Sequence, residues 1–169
     1  EWSTDPKNAT AQGVSLADFE DFRAQSRTLE GAASWFGYEM VLTSDREPQR
    51  VQVIVTYGDL FSVLGVPPAL GTTYRAEREG PQERAIVLSH RFWTERFGAD
   101  PQVVGRSVTL SGHSYRVAGV MPRRFQFPIQ SPPVDFWATL GPVQFAEPPN
   151  QPRNVRGGEV NARLSAGVD

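Results

Sequence analysis

Chemistry in a protein needs nucleophiles, bases, acids or metal ligands, and this 169-residue chain holds few of them. It has no cysteine, which removes thiol nucleophiles, cysteine-ligated zinc, iron–sulfur clusters and a disulfide scaffold together. Two histidines, His90 and His113, supply all the imidazole, so one chain cannot build a multi-histidine metal centre. A Ser/His/Asp hydrolase would need one of them as its base. Neither lies near a G-x-S-x-G elbow, and Ser89-His90 reads as a helix cap rather than a nucleophile–base pair. His113, beside Gly112, reads as a solvated turn residue. Asp18 and Asp21 stand three apart and could offer two carboxylates to a cation or a glycosidic bond; as first-turn acids they complement a helix dipole instead. The residues therefore assign no catalytic group, no metal ligand and no cofactor site.

The glycines of Gly65-Val66-Pro67-Pro68-Ala69-Leu70-Gly71 lack the G-x-G-x-x-G spacing of a phosphate cradle. Asn8-Ala9-Thr10 is formally a glycosylation acceptor, and such triplets are common by chance. The aromatic set Trp35, Phe36, Trp93, Phe125, Phe127, Phe136 and Trp137 could line a sugar or peptide groove. Read mainly as core, it leaves Phe125 and Phe127 as the candidate contact surface.

Charge excludes a further class. The formal net charge is −2, with nine acidic against five basic residues in 1–50 and seven arginines against four acids in 106–169. The two ends are opposed in sign, but no long basic tract exists, so nucleic acid is not an expected partner. Sixteen of the 17 basic residues are arginine, which suits carboxylate recognition and suits an ordinary surface equally well.

The elements that would position these residues follow from hydrophobic period and punctuation. Residues 1–13 lack apolar periodicity and read as a tether. Ser15 and Asp18 form a capping box, and Leu16, Phe19, Phe22, Ser26, Leu29 and Ala33 recur every three or four positions, which predicts a helix over Ser15–Glu30 ended by Gly31. Strands are predicted over Gly37–Thr43 and Arg50–Thr56 as a hairpin, then a short helical turn from Asp59 with Gly65 as its left-handed exit. Arg75–Arg84 reads as a solvated loop and Ala85–Leu88 as a fully apolar strand. Ser89 caps a second helix that presents Phe92, Trp93 and Phe97 inward and stops at Gly98.

Ser107–Leu110 and Ser114–Val120 predict a hairpin around Ser111-Gly112-His113. Met121–Pro133, with Pro122, Pro128, Pro132 and Pro133, predicts an irregular segment packed by Phe125 and Phe127. Asp135–Leu140 reads as an edge strand, Pro142–Gly158 as a loop and Glu159–Leu164 as a last strand. With 15 Gly and 14 Pro the composition speaks against a helical bundle, and no apolar run reaches the roughly 20 residues of a membrane span. On residues alone the expectation is a soluble α+β domain, a binding or structural module, cut from a longer polypeptide.

Taken in order, several short motifs resemble those of the MacB-like periplasmic core domain of ABC-transporter permeases. They are Val14-Ser15-Leu16-Ala17-Asp18-Phe19, the run Tyr57–Val66, Leu70-Gly71, Ala85-Ile86-Val87-Leu88-Ser89, Phe92-Trp93, Arg96-Phe97-Gly98 and Asp100–Arg106. Tyr115–Pro122, Phe136-Trp137 and Ala162–Val168 complete the series, which spans most of the chain.

The resemblance implies a porter-like α/β lobe, residues 14–56 plus 150–169 and incomplete at its C-terminus, with an inserted β-rich, Sabre-like lobe at 57–149. It implies an extracytoplasmic, periplasmic domain of an inner-membrane protein, flanked by transmembrane helices and working with a cytoplasmic ATPase subunit or domain. Such a domain would relay ATP-driven motion outward, without catalysis or cofactor, to a substrate, a periplasmic adaptor or an envelope protein. An open edge in the shortened sheet would pair with a second copy as a homodimer. The competing readings are a free-standing carbohydrate- or peptide-binding module and a small hydrolase.

Overall fold

The computed structural model describes residues 13–26, 28–44, 47–74, 84–129, 133–139 and 158–165. Helix α1 runs over Leu16–Gln25, with the Ser15 hydroxyl accepting the Asp18 backbone N–H at 3.1 Å as the capping box requires. It ends at Ser26, short of the predicted Glu30. Leu29, read above as the end of the helix, Gly31, read as its stop, and Ala33, which continued its recurrence, all belong to strand β1, Leu29–Leu42. The physical reason is tertiary: α1 buries Phe19 but leaves Phe22 46% exposed, whereas residues 31–35 gain β8 as a strand partner and residues 33–35 gain β2 on the other side as well. A marginal helical turn yields to that pairing. Gly31 is therefore a strand residue rather than a helix stop.

Strand β1 continues as a hairpin into β2, Gln49–Gly58, in register from Leu42↔Gln49 to Ala33↔Gly58. The predicted first strand, Gly37–Thr43, is thus the distal half of a 14-residue one. A short helix, α2 (Leu60–Leu64), exits through Gly65 at φ 68, as predicted. Leu70–Gly71 forms β3, Ala85–Leu88 β4, and His90–Phe97 α3, capped by Ser89 and released at Gly98. Strands β5 (Ser107–Leu110) and β6 (His113–Val120) form the predicted hairpin with Val108 opposite Tyr115; His113 joins the strand, opposite Leu110.

Strand β7, Phe136–Thr139, overturns one expectation. It is no edge strand, because it lies between β2, which it pairs in parallel, and β4, which it pairs antiparallel. All four residues are buried. Pro132 and Pro133 precede the strand in the sequence and remove no ladder bond from it, so an interior position is open to it. The last strand, β8, is Glu159–Leu164, and it pairs the proximal half of β1.

Strand order β2–β7–β4–β6–β5–β1, together with the β1–β2 pairing, closes the sheet on itself. The closing seam is short: Leu42 faces Leu110, Thr43 donates to the Thr109 carbonyl at 3.0 Å and Ser111 to the Val41 carbonyl at 2.8 Å. The enclosed first core takes Leu42, Val51, Val53, Ile86, Leu88, Val108, Leu110, Val117 and Phe136 from the six ring strands, with Phe92 of α3 inserted against Phe136 at 4.7 Å.

A second core lies on the outer face, where Trp35, Ile54, Val87, Ala118 and Trp137 are covered by Leu60 and Phe61 of α2, by Tyr74 and by the segment after β6. Strands β4 and β7 are thus buried on both faces, which is why β4 reads as a continuous apolar run. A third, small cluster sets Phe19 of α1 against Ala32, Leu29, Tyr57 and Val160.

Candidate interaction surface

The predicted chemistry-bearing residues are not brought together. Among the described residues no three His, Asp or Glu side chains form a group that could hold a metal ion. The His90 ring packs edge-on to Trp93 at 5.4 Å on α3, while His113 sits on β6. The Ser89 hydroxyl accepts the Phe92 N–H at 3.2 Å, the capping role expected from the sequence. Asp18 and Asp21 are both on α1. The triplet Asn8-Ala9-Thr10 and almost all of Arg75–Arg84 fall outside the described residues.

Sequence reasoning missed Asp135, a carboxylate buried between strands and helix. Its Oδ2 accepts the Gln52 N–H at 2.9 Å, its own N–H donates to the Gln52 carbonyl at 2.8 Å, and its carbonyl accepts the Ser89 N–H at 2.9 Å. Its Oδ1 pairs with the partly exposed Arg91 guanidinium, which also holds Glu95 at 2.8 Å. Burial pushes the Asp135 carboxyl above its ordinary value, opposed by the Gln52 N–H and by Arg91. The group clips α3 to β2 and β7. Its only trace in the sequence is an acid directly before an apolar strand.

A second tether joins α1 to β2. Burial, followed by the hydrogen bond to and charge of Glu20, pushes the Tyr57 phenol up to about 12. Its ring meets Phe19 edge-on at 6.0 Å.

Phe125 and Phe127, the candidate contact residues, are half-buried and face inward. Phe125 packs edge-on against Trp137 at 5.1 Å and Phe127 against Trp35 at 5.1 Å, while the Trp137 indole donates to the Phe127 carbonyl at 3.1 Å. Between β6 and these anchors, Phe125 donates to the Pro122 carbonyl at 2.9 Å, closing a turn with Arg123 and Arg124 at its corner. Both arginines and Gln126 are exposed, and Ile129 is 85% exposed. The outward residues of this segment are therefore its polar neighbours and Ile129, with the phenylalanines as their anchors. Of the other aromatics singled out, Trp35, Phe136 and Trp137 are buried, and Phe36 and Trp93 pack partly buried on the first core.

What these features define as a class is an α+β domain organised by packing and polar tethers, with its reactive groups dispersed. Its fold is that of known transporter domains. The periplasmic region of MacB from Actinobacillus actinomycetemcomitans superposes with a TM-score of 0.70 at 13% identity, over 100% of this chain and 73% of that one. The extracellular domain of the noncanonic ABC-type transporter YknZ from Gram-positive bacteria gives 0.60 at 13% identity, over 88% of this chain and 73% of that one. The sequence has no significant match among curated proteins. It matches the MacB-like periplasmic core domain over residues 2–169, and the chain belongs to that family. It is accordingly an extracytoplasmic domain of a MacB-like ABC-transporter permease. No helix among the described residues is long and apolar enough to cross a membrane.

Proposed function

We propose that this domain is a non-catalytic relay, passing ATP-driven movement of the permease's transmembrane helices to a substrate or an envelope partner. The observation that carries the reading is the unbroken run of β1 and β2. The proximal half of β1 pairs with β8 beneath α1, and its distal half closes the ring around the first core. A displacement applied at one end of such strands is transmitted along them, because a hydrogen-bonded ladder resists stretch and shear far more than a loop does. Dispersed reactive groups suit a task in which no bond is broken.

In this reading the porter-like lobe comprises 14–56 and 150–169, and the inserted lobe 57–149. The energy source is a cytoplasmic ATPase subunit or domain. The partner, an adaptor or another envelope protein, meets the segment that Phe125 and Phe127 anchor, through Arg123, Arg124, Gln126 and Ile129. A periplasmic binding module is the weaker alternative, because the largest aromatics pack inward rather than lining a concave site.

These 169 residues contain no cysteine, so an introduced pair has no competing thiol within the domain. A Cβ at Gly31 would stand 3.3 Å from Val63 Cγ2, so Gly31→Cys with Val63→Cys can cross-link β1 to α2. In the full-length transporter reconstituted in vesicles, oxidation should stop export while ATP hydrolysis continues, and reductant should restore it. Export that proceeds unchanged with the cross-link formed would refute the relay.

A further inference from the structure

Strand β8 is attached differently on its two faces. On the α1 side Val160 joins the third cluster, while Ala162 is exposed and Leu164 is 56% exposed. On the opposite side the alternate residues are Glu159, Asn161 and Arg163, all polar. The Asn161 Oδ1 accepts the Trp35 indole N–H at 2.7 Å. The Arg163 Nε donates to the Val63 carbonyl at 3.1 Å, in the last turn of α2.

Two glycines make the seat for this contact. Gly31, opposite Arg163 in the β1–β8 register, leaves space for Val63. Gly65 takes the left-handed turn at φ 68 that ends α2, and a Cβ there would fall on the Arg163 guanidinium. The guanidinium therefore caps the carbonyl end of α2, where its charge also meets the negative end of the helix. No apolar side chain of β8 joins the second core.

We propose that Asn161 and Arg163 form a polar clasp that, beside the β1–β8 ladder, couples a displacement of the chain at β8 to the Trp35 indole and to α2. The inference rests on the relay reading and names its point of transfer. Hydrogen bonds suit such a joint because they are short-ranged and directional: they hold two elements in one register and release within about 1 Å of extension. Beyond the clasp the path is packed. Trp35 touches Phe127, and Phe61 of α2 touches Trp137 and Phe125, so both ends of the clasp abut the anchors of the outward segment.

The test is amide hydrogen exchange on the complete chain and three variants. The reporters are the Gly65 N–H, bonded to the Phe61 carbonyl at 2.9 Å, and the Val63 N–H, bonded to the Asp59 carbonyl at 3.1 Å. Arg163→Met, which keeps the aliphatic stem, should speed exchange at both by roughly five- to tenfold, the effect of losing one partly exposed charge-assisted hydrogen bond. Strands β5 and β6 should be unmoved. Arg163→Lys should restore part of the protection, because an ammonium can still donate to the Val63 carbonyl. Asn161→Ala should act at the Trp35 indole and leave α2 protected.

Unchanged exchange at Gly65 in Arg163→Met overturns the clasp, as does acceleration spread evenly over β5 and β6, or a lysine variant no better than methionine. Exchange and transport fail separately. Exchange as expected, with export persisting through the Gly31–Val63 cross-link, would remove the relay and leave the clasp a static joint.

Discussion

Removing the Asp135 side chain probes the tether that the fold depends on most locally. In Asp135→Ala the Gln52 N–H, bonded at 2.9 Å to Oδ2, loses its acceptor between β2 and β7, and an unsatisfied buried donor costs about 1–3 kcal/mol. Arg91 adds little to that sum, since its side chain is 44% exposed and can return to water. The expected loss is therefore about 2 kcal/mol, or a Tm lower by roughly 4–8 °C for a chain of this length. Thermal and urea denaturation at pH 7 measure it.

The pH dependence gives a second, sign-bearing check. Burial raises the native Asp135 carboxyl above its unfolded value, so between the two values the native state holds more protons than the unfolded one. The contribution of Asp135 is then greatest below the unfolded pKa and falls as pH rises through the native one. The stability difference between wild type and Asp135→Ala should accordingly widen toward acid. A difference below about 0.5 kcal/mol at pH 7 would sink the structural role, because ordinary surface substitutions fall in that range. A difference that widens toward alkali would mean that Arg91 outweighs burial.

Two other perturbations read the first core and the α1 tether. Phe92→Ala removes the ring that α3 inserts against Phe136 and should cost about 3–5 kcal/mol in urea unfolding; a loss under about 1 kcal/mol would mean that α3 does not seal the ring of strands. For Tyr57, whose phenol is raised to about 12, the native state keeps its proton longer than the unfolded one, so wild-type stability should decline between about pH 10 and 12. In Tyr57→Phe that part of the decline should be missing from an alkaline denaturation series, and an unchanged slope would contradict the burial of the phenol beside Glu20.

Local signals were legible wherever the physics was local. The Ser15 and Ser89 caps, the left-handed exit at Gly65, the stop at Gly98, the apolar run of β4 and the β5–β6 hairpin each depend on residues a few positions apart, and each stands as read save that His113 passes from the turn into β6. The ordered motifs from Val14 to Val168 likewise sufficed to place the chain among MacB-like periplasmic core domains, because family membership is written in residue order. The inward packing of Phe125 and Phe127 was half legible: their spacing marked an aromatic-packed segment but could not say which way it faced.

The rest was decided by partners distant in sequence. Leu29 and Ala33 keep the helical recurrence of α1, yet β8, and at Ala33 β2 as well, claim them as strand, and β8 begins more than 120 residues later. Phe136–Thr139 became an interior strand because β2 and β4 both had a free side for it, which no property of those four residues reveals. The Asp135 clip and the Arg163 capping of α2 arise the same way, from groups that only the closed sheet makes neighbours. Short-range sterics and hydrogen bonding act along the chain and are written in it; burial and pairing act through space, and exist only once the chain has closed on itself.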